Sequence, residues 1–319
     1  MLASLSLGVT LFSACTGISK PVTFNENWKT NPDASSPITE ILTYKVSYEK
    51  TEGLINNYDV EYENGWYTTE LTTKQGEKDG ELYTYYYYKT SFTIDVKYVY
   101  GSEDDSFTDT VITEAHFMRS TDDLRPIYSK KQLHSHSPLN AEAEKLSDCY
   151  AVYDYTIETE YNSDLTEGKT TITKHTDAED ITYDPDTFEI EDDARYLDNE
   201  QLLLALRGVN PSNFPTANFL VYAPFTKSVQ NVKASFSSTT ESTNFKFTRN
   251  SAPFEESISY RSVTLSLNEK NAGSSQTLWI AEKTDVNTNR NLILKMETPI
   301  AYSLGSLIYT LDTEVVEKS

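Results

Sequence analysis

From residue 42 onward, apolar and polar side chains change places at almost every position. Leu42, Tyr44, Val46 and Tyr48 alternate with Thr43, Lys45, Ser47 and Glu49. Tyr58, Val60 and Tyr62 alternate with Asp59, Glu61 and Glu63, and Phe92, Ile94, Val96, Tyr98 and Tyr100 form the cleanest run. Successive side chains of a strand point to opposite faces, so this period predicts antiparallel strands with one buried and one wet face. Further strands are expected near 106–118, 150–161, 169–175, 232–237, 243–248, 258–267, 276–283, 292–298 and 302–311. Asn64-Gly65 tolerates positive φ and reads as a hairpin turn, returning the chain through Trp66 to Thr73. The fold class that follows is all-β and mainly antiparallel: a large curved sheet or open barrel with one short helix packed against it.

Two stretches depart from the pattern. Tyr85, Tyr86, Tyr87 and Tyr88 put aromatic rings on both faces of one strand. Such a strand is either covered on both sides or lines a cavity on one, which makes Tyr85 and Tyr87 candidates for a ligand cavity. Between Asp198 and Gly208 the period changes to that of a helix. Asp198 is the expected N-cap with Gln201 three residues on, Gly208 the expected C′ residue, and Arg207 sits in the last turn. Leu202, Leu203 and Leu206 share one face by i, i+3 and i+4 spacing. At about two turns this helix is not stable alone. Its leucines must dock on the sheet, as a plug capping the core or as a lid over a ligand cavity.

Length and charge narrow the picture. The 319 residues suffice for one large β domain or two smaller ones. Lys and Arg number 27 against 49 Asp and Glu, a formal charge of −22. Such a surface repels phosphate, which argues against nucleic acid and anionic headgroups as partners. The densest basic cluster is Lys130-Lys131, read as a solvated face. Residues 177–197 are acidic and break the strand pattern, so 177–210 would be the joint if the body divides into two sub-sheets.

The first 14 residues, MLASLSLGVTLFSA, carry no charge. They are too few for a membrane-spanning helix, which needs about 20 residues, and fit the apolar core of a secretory signal. Phe12-Ser13-Ala14-Cys15 resembles the lipobox of bacterial lipoproteins. The resemblance implies a signal peptide over 1–14, lipid attachment at Cys15, and a tether over 15–40 that holds Pro21, Pro32 and Pro37. A β-rich domain over 41–316 would follow. No Lys or Arg precedes the apolar run, so a start codon upstream of Met1 is expected. The other cysteine, Cys149, has no basic neighbour in sequence to activate its thiol, and a bridge to Cys15 is not expected.

Motifs for chemistry are few. Nucleophile-elbow, phosphate-loop and dinucleotide glycine patterns do not occur. His134-Ser135-His136 would place two imidazoles on one strand face, short of a third metal ligand. Asp285, Asn287 and Asn289 mimic a calcium loop, but Arg290 stands where its glycine belongs and Met296 where its closing carboxylate belongs. No catalytic residue, metal site or cofactor is expected.

The stretches LDNEQLLLALRGV, FLVYAP, LWIAEKTDVNTNRNLIL and YSLGSLIYTL resemble an uncharacterised bacterial family, domain of unknown function 3108, over about residues 40–315. The resemblance implies the open half-barrel of lipoprotein carriers, with a helix against the concave face and a hydrophobic ligand cavity. The functional expectation is a monomeric, extracytoplasmic, membrane-anchored lipoprotein, not an enzyme, that binds a hydrophobic or amphipathic small molecule such as a lipid. The competing expectation is a structural or adhesive surface domain that binds protein or glycan through exposed Tyr and has no cavity.

Overall fold

The computed structural model describes residues 22–24, 37–52, 57–78, 81–118, 124–140, 142–267, 275–282 and 291–318. Nine strands form its first half: β1 (Ile38–Lys50), β2 (Asp59–Lys78), β3 (Glu81–Tyr100), β4 (Glu103–Met118), β5 (Pro126–Pro138), β6 (Tyr150–Tyr161), β7 (Glu167–Lys174), β8 (Ile181–Thr182) and β9 (Asp186–Glu189). A 3-10 turn, Asn199–Gln201, then leads into the helix α1 (Leu202–Arg207). The second half holds β10 (Thr216–Ala223), β11 (Ser228–Phe236), β12 (Glu241–Arg249), β13 (Ala252–Leu267), β14 (Gln276–Ala281), β15 (Ile293–Pro299) and β16 (Gly305–Lys318). The all-β expectation holds.

The halves are not separate sub-sheets. β16 pairs antiparallel with β1 over Ile38 to Lys50, so one hydrogen-bonded sheet runs from β10 to β8. The segment 177–210 links the halves in sequence, while the β1–β16 ladder joins them in space. Within this sheet, β12 pairs with β13 on one side and, in parallel, with β16 on the other. Strands β12 to β16 therefore close on themselves as a small barrel. The remaining strands curl away from it, and the two ends of the long sheet come back together. There the closure is made by side chains and a single bridge, Tyr196 with Leu220, instead of a ladder. Phe188 beside β7 stacks on Tyr222 of β10 with ring centroids 3.9 Å apart.

The enclosed core holds Leu42, Tyr44, Tyr86, Tyr88, Phe92 and Ile94 from the alternating strands, as their period requires. It also holds α1. Leu202, Leu204, Ala205, Leu206 and Arg207 are all buried, so α1 is a plug inside the sheet and not an amphipathic helix lying on it. The leucine stripe read from sequence is corrected accordingly. Leu204 is buried, whereas Leu203 is only partly so. The start is capped by Asp198, whose carboxylate accepts from the Glu200 N–H. Gln201 does not complete a capping box: its side-chain amide donates to the Leu124 carbonyl instead. Gly208 has φ −88°, so the helix ends without a left-handed residue.

Two further expectations give way. Asn64-Gly65 is a bulge and not a hairpin: Asn64 takes φ 52°, the register shifts between Glu63 and Trp66, and β2 runs on. Glycine is needed because a Cβ at position 65 would lie 2.7 Å from that of Val46. The tether is not wholly free chain either. Val22 and Phe24 are buried, and Phe24 bridges to Val209 and stacks on Phe219. Apolar side chains find the core when a groove is open to them, whatever the prolines around them suggest.

Gly305 opens β16 with φ +148°, where a Cβ would lie 2.2 Å from the Glu49 carbonyl oxygen. Gly305→Ala should cost at least about 1–3 kcal/mol, since strain and steric overlap add. Gly101→Ala meets no atom within 4 Å at φ +62° and should cost less, about 1–2 kcal/mol. Urea midpoints of the two variants decide the order.

Candidate functional site

The cleft of greatest chemical interest lies beside the seam of the curled sheet. Its walls come from β5 (Ser129, Lys131, Leu133), β6 (Tyr153, Ile157, Thr159, Tyr161) and the end of β10 with the turn into β11 (Val221 to Thr226). Residues 198–200 at the entrance to α1 form its floor, and its volume is about 250 Å³. β5 supplies alternate residues because side chains i and i+2 share a face.

The walls are mostly apolar or aromatic, but the floor is charged. Asp198 is buried and accepts three hydrogen bonds: from Ser129 Oγ at 2.6 Å, Tyr161 Oη at 2.6 Å and the Glu200 N–H at 2.8 Å. Burial, and then the charge of Glu200, push its carboxyl above the ordinary range, while the Ser129 and Tyr161 bonds oppose the shift. Lys131 is buried and pairs with Glu200 at 3.1 Å, and Glu200 also accepts from Asn199 Nδ2 at 3.0 Å. Lys131 is therefore not part of a solvated face. It points into the sheet on the side of Ser129 and Leu133, while Lys130 pairs with Glu158 at the surface.

A second cleft of about 160 Å³ continues along the same strand, lined by Ser135 and Ser137 of β5 with Phe92, Val111, Ile300 and Leu307. Leu133 and Tyr153 line both clefts, so the two share a waist. At the far end Asp109 accepts from both the backbone N–H and the Nδ1 of His136, each at 2.9 Å. Burial raises the Asp109 carboxyl and the His136 bonds oppose it. Rings of His134 and His136 lie 5.2 Å apart, with the His134 Nδ1 at 2.9 Å from Asp154. Among the described residues, no three His, Cys, Asp or Glu side chains are grouped to hold a metal ion.

The five cavity candidates read from sequence are not brought together. Tyr86 and Tyr88 face the core, so Tyr85 and Tyr87 face outward. There they contact His116, whose ring also meets Tyr128, and the Lys74 ammonium lies 3.2 Å from the Tyr87 ring centre. Burial and the charge of Glu114 push the Tyr87 hydroxyl up to about 12. Leu202 is packed in the core, and Leu203 packs against the core from its edge. Leu206 lines a separate opening of about 350 Å³ beside Arg207, Arg261 and Glu282. Cys149 is buried and free, its thiol raised to about 11 by burial and by the charges of Asp148 and Asp105. Cys15, Asp285, Asn287 and Asn289 lie outside the described residues.

No family model matches the chain, and the resemblance to family 3108 gains no support from that comparison. No curated protein matches it either. Among solved structures, it is similar to a β-barrel-like protein of domain of unknown function 1849 from Brucella abortus. That match has 8% identity and a TM-score of 0.44, and covers 88% of this chain and 98% of the other.

Proposed function

We propose that this β-barrel-like protein is an extracytoplasmic binding protein, not an enzyme, for an amphipathic small molecule held in the two-lobed cleft. The observation that carries the reading is the cleft itself. Apolar and aromatic side chains of Leu133, Tyr153, Ile157, Val221 and Phe225 stand over a buried, charged floor, and a second lobe, with Phe92, Val111, Ile300 and Leu307, lies beyond Leu133 and Tyr153. Small-molecule sites have this character: concave, mostly apolar, with a few placed polar groups. Leu133 sits mid-strand, so the ligand would lie along β5 with its polar end at Asp198 and its apolar end toward Leu307.

Native mass spectrometry of the gently purified full chain tests this. The expected spectrum carries discrete added mass that denaturation removes. Leu133→Trp, which fills the waist, should lose that mass while keeping the β-sheet circular dichroism spectrum. A wild-type spectrum without added mass, together with no uptake of any long-chain amphiphile, would overturn the reading.

Membrane anchoring through Cys15 belongs to the same proposal and rests on the lipobox resemblance. Cys15→Ser should move the protein from the membrane to the soluble fraction. A variant that still sediments fully with membranes would contradict the anchor.

One observation favours a second reading, a domain that binds protein or glycan on its outer surface. Tyr85, Tyr87 and Tyr128 surround His116, whose Nε2 is buried without a hydrogen-bond partner. Alanine at Tyr85 and Tyr128 would leave the cleft ligand in place and remove such a partner.

A further inference from the structure

The floor of the cleft contains a charge imbalance that points to the chemistry of its ligand. Lys131 and Glu200 neutralise each other at 3.1 Å. Asp198 has no such partner: every group that donates to it is neutral, namely a Ser hydroxyl, a Tyr hydroxyl and a peptide N–H. Among the described residues, no Lys, Arg or His forms an ion pair with it. An ionised carboxylate accepts about four hydrogen bonds, so three donors leave one acceptor position. Burying a charge without a counter-charge is costly, and a bound cation would relieve that cost.

The walls suit an organic cation better than a hydrated metal ion. Tyr153, Tyr161, Tyr222 and Phe225 line the same space as Asp198. Aromatic faces attract ammonium groups electrostatically and tolerate their alkyl substituents. Inorganic ions need several ligating side chains drawn together, and among the described residues no three His, Cys, Asp or Glu are grouped to hold one. Aliphatic side chains of Ile157 and Val221 complete the lining and suit a hydrocarbon body.

We propose that the cleft takes a cationic amphiphile, an organic ammonium whose charge is set against Asp198 and whose apolar body lies among the aromatic walls. The inference rests on the cleft-binding reading above and specifies the charge of the ligand. It runs against a fatty acid or another anionic lipid, because the one lysine in the cleft is already paired. Long-range attraction to a chain of charge −22 would favour cations everywhere on the surface, so the contrast must survive salt.

The test is calorimetric titration of the full-length protein with dodecyltrimethylammonium, dodecanoate and dodecanol, each below its micelle or solubility limit. Measurements run at about 0.15 M salt and again at about 0.5 M, where the Debye length falls below ~8 Å. The expected result is at least tenfold tighter binding of the ammonium than of dodecanoate at both salt concentrations. Asp198→Asn should remove most of that preference. Asn is as good a helix N-cap as Asp, so this variant keeps the local turn. Lys131→Met should leave the ammonium bound at least as tightly. If dodecanoate binds as tightly as the ammonium, or Lys131→Met abolishes its binding, the cationic assignment falls while the cleft reading stands. If none of the three binds, both fall.

Discussion

Replacing Glu40 by Ala should cost the protein about 3–5 kcal/mol, the effect of stranding one partner of a buried ion pair. Glu40 and Arg207 are almost wholly inaccessible, with side-chain exposures of 1% and 3%. Their contact is a fork: Nη1 to Oε1 at 2.6 Å and Nη2 to Oε2 at 3.2 Å. The Nε of Arg207 donates to the Asn291 carbonyl at 3.1 Å, and Asn291 donates back to the Arg207 carbonyl. This set ties α1 to β1 and to the start of β15. Removing Glu40 leaves a guanidinium that stays charged inside the curled sheet, since Arg does not deprotonate in proteins. The double variant Glu40→Met with Arg207→Met removes both charges at similar volume. It should recover most of the loss, because a buried pair is often worth little against a well-packed apolar substitute. Denaturant midpoints of the single and double variants check this. A single variant within about 1 kcal/mol of wild type would mean that the pair is not buried as described.

Leu204→Ala should cost about 2–5 kcal/mol, the range for a leucine removed from a packed core. Leu204 is 1% exposed and packs in the same cluster as Tyr44, Tyr88 and Phe219. Leu203→Ala should cost distinctly less, since Leu203 is only partly buried. The pair of measurements separates a plug from a surface helix. An amphipathic helix with Leu202, Leu203 and Leu206 as its buried face would give the reverse order. Equal losses at 203 and 204 would count against the plug.

The strand that carries most of the candidate site, β5, has no counterpart among the strands expected from periodicity. The reason is visible in its side chains. Its inward positions are Ser129, Lys131, Leu133, Ser135 and Ser137, of which only Leu133 is apolar. Alternation of apolar and polar residues marks a strand whose inner face meets the core. β5 faces a cleft with a charged floor instead, so that signal fails where the site is. A residue pattern of small and charged side chains at i, i+2 and i+4 between two certain strands was the available clue. β10 lacks the alternating signal for a different reason. Ala217, Phe219 and Val221 face the core in period two, but Leu220 and Tyr222 between and beside them are apolar as well and pack at the seam, so no polar face marks the strand.

Tyr85 and Tyr87 show the opposite failure. Their aromatic character was legible, but period two cannot say which face of a strand meets the inside. Only the curl of the sheet assigns Tyr86 and Tyr88 to the core and leaves Tyr85 and Tyr87 outside with Lys74 and His116. The same holds for Asn64-Gly65. The local backbone preference was right, since Asn64 has positive φ, but the pairing of β2 with both β1 and β3 carried the strand through the bend as a bulge.

By itself, the sequence determined the all-β class, most strand positions, the place of the short helix and its Asp198 cap, and a strongly acidic surface. These follow from local rules: a side-chain period, a capping residue and a charge count act over a few residues or over none. Tertiary structure alone decided that β1 joins β16, that β12 to β16 close on themselves, that α1 lies inside, and that Lys131, Asp198 and Glu200 share one cleft. Those outcomes bring together residues some 65 to 280 positions apart, such as Thr248 with Thr313, Ser129 with Asp198, and Ile38 with Lys318. Such pairings depend on how the whole sheet curls to bury its apolar face, and no short window of sequence carries that information.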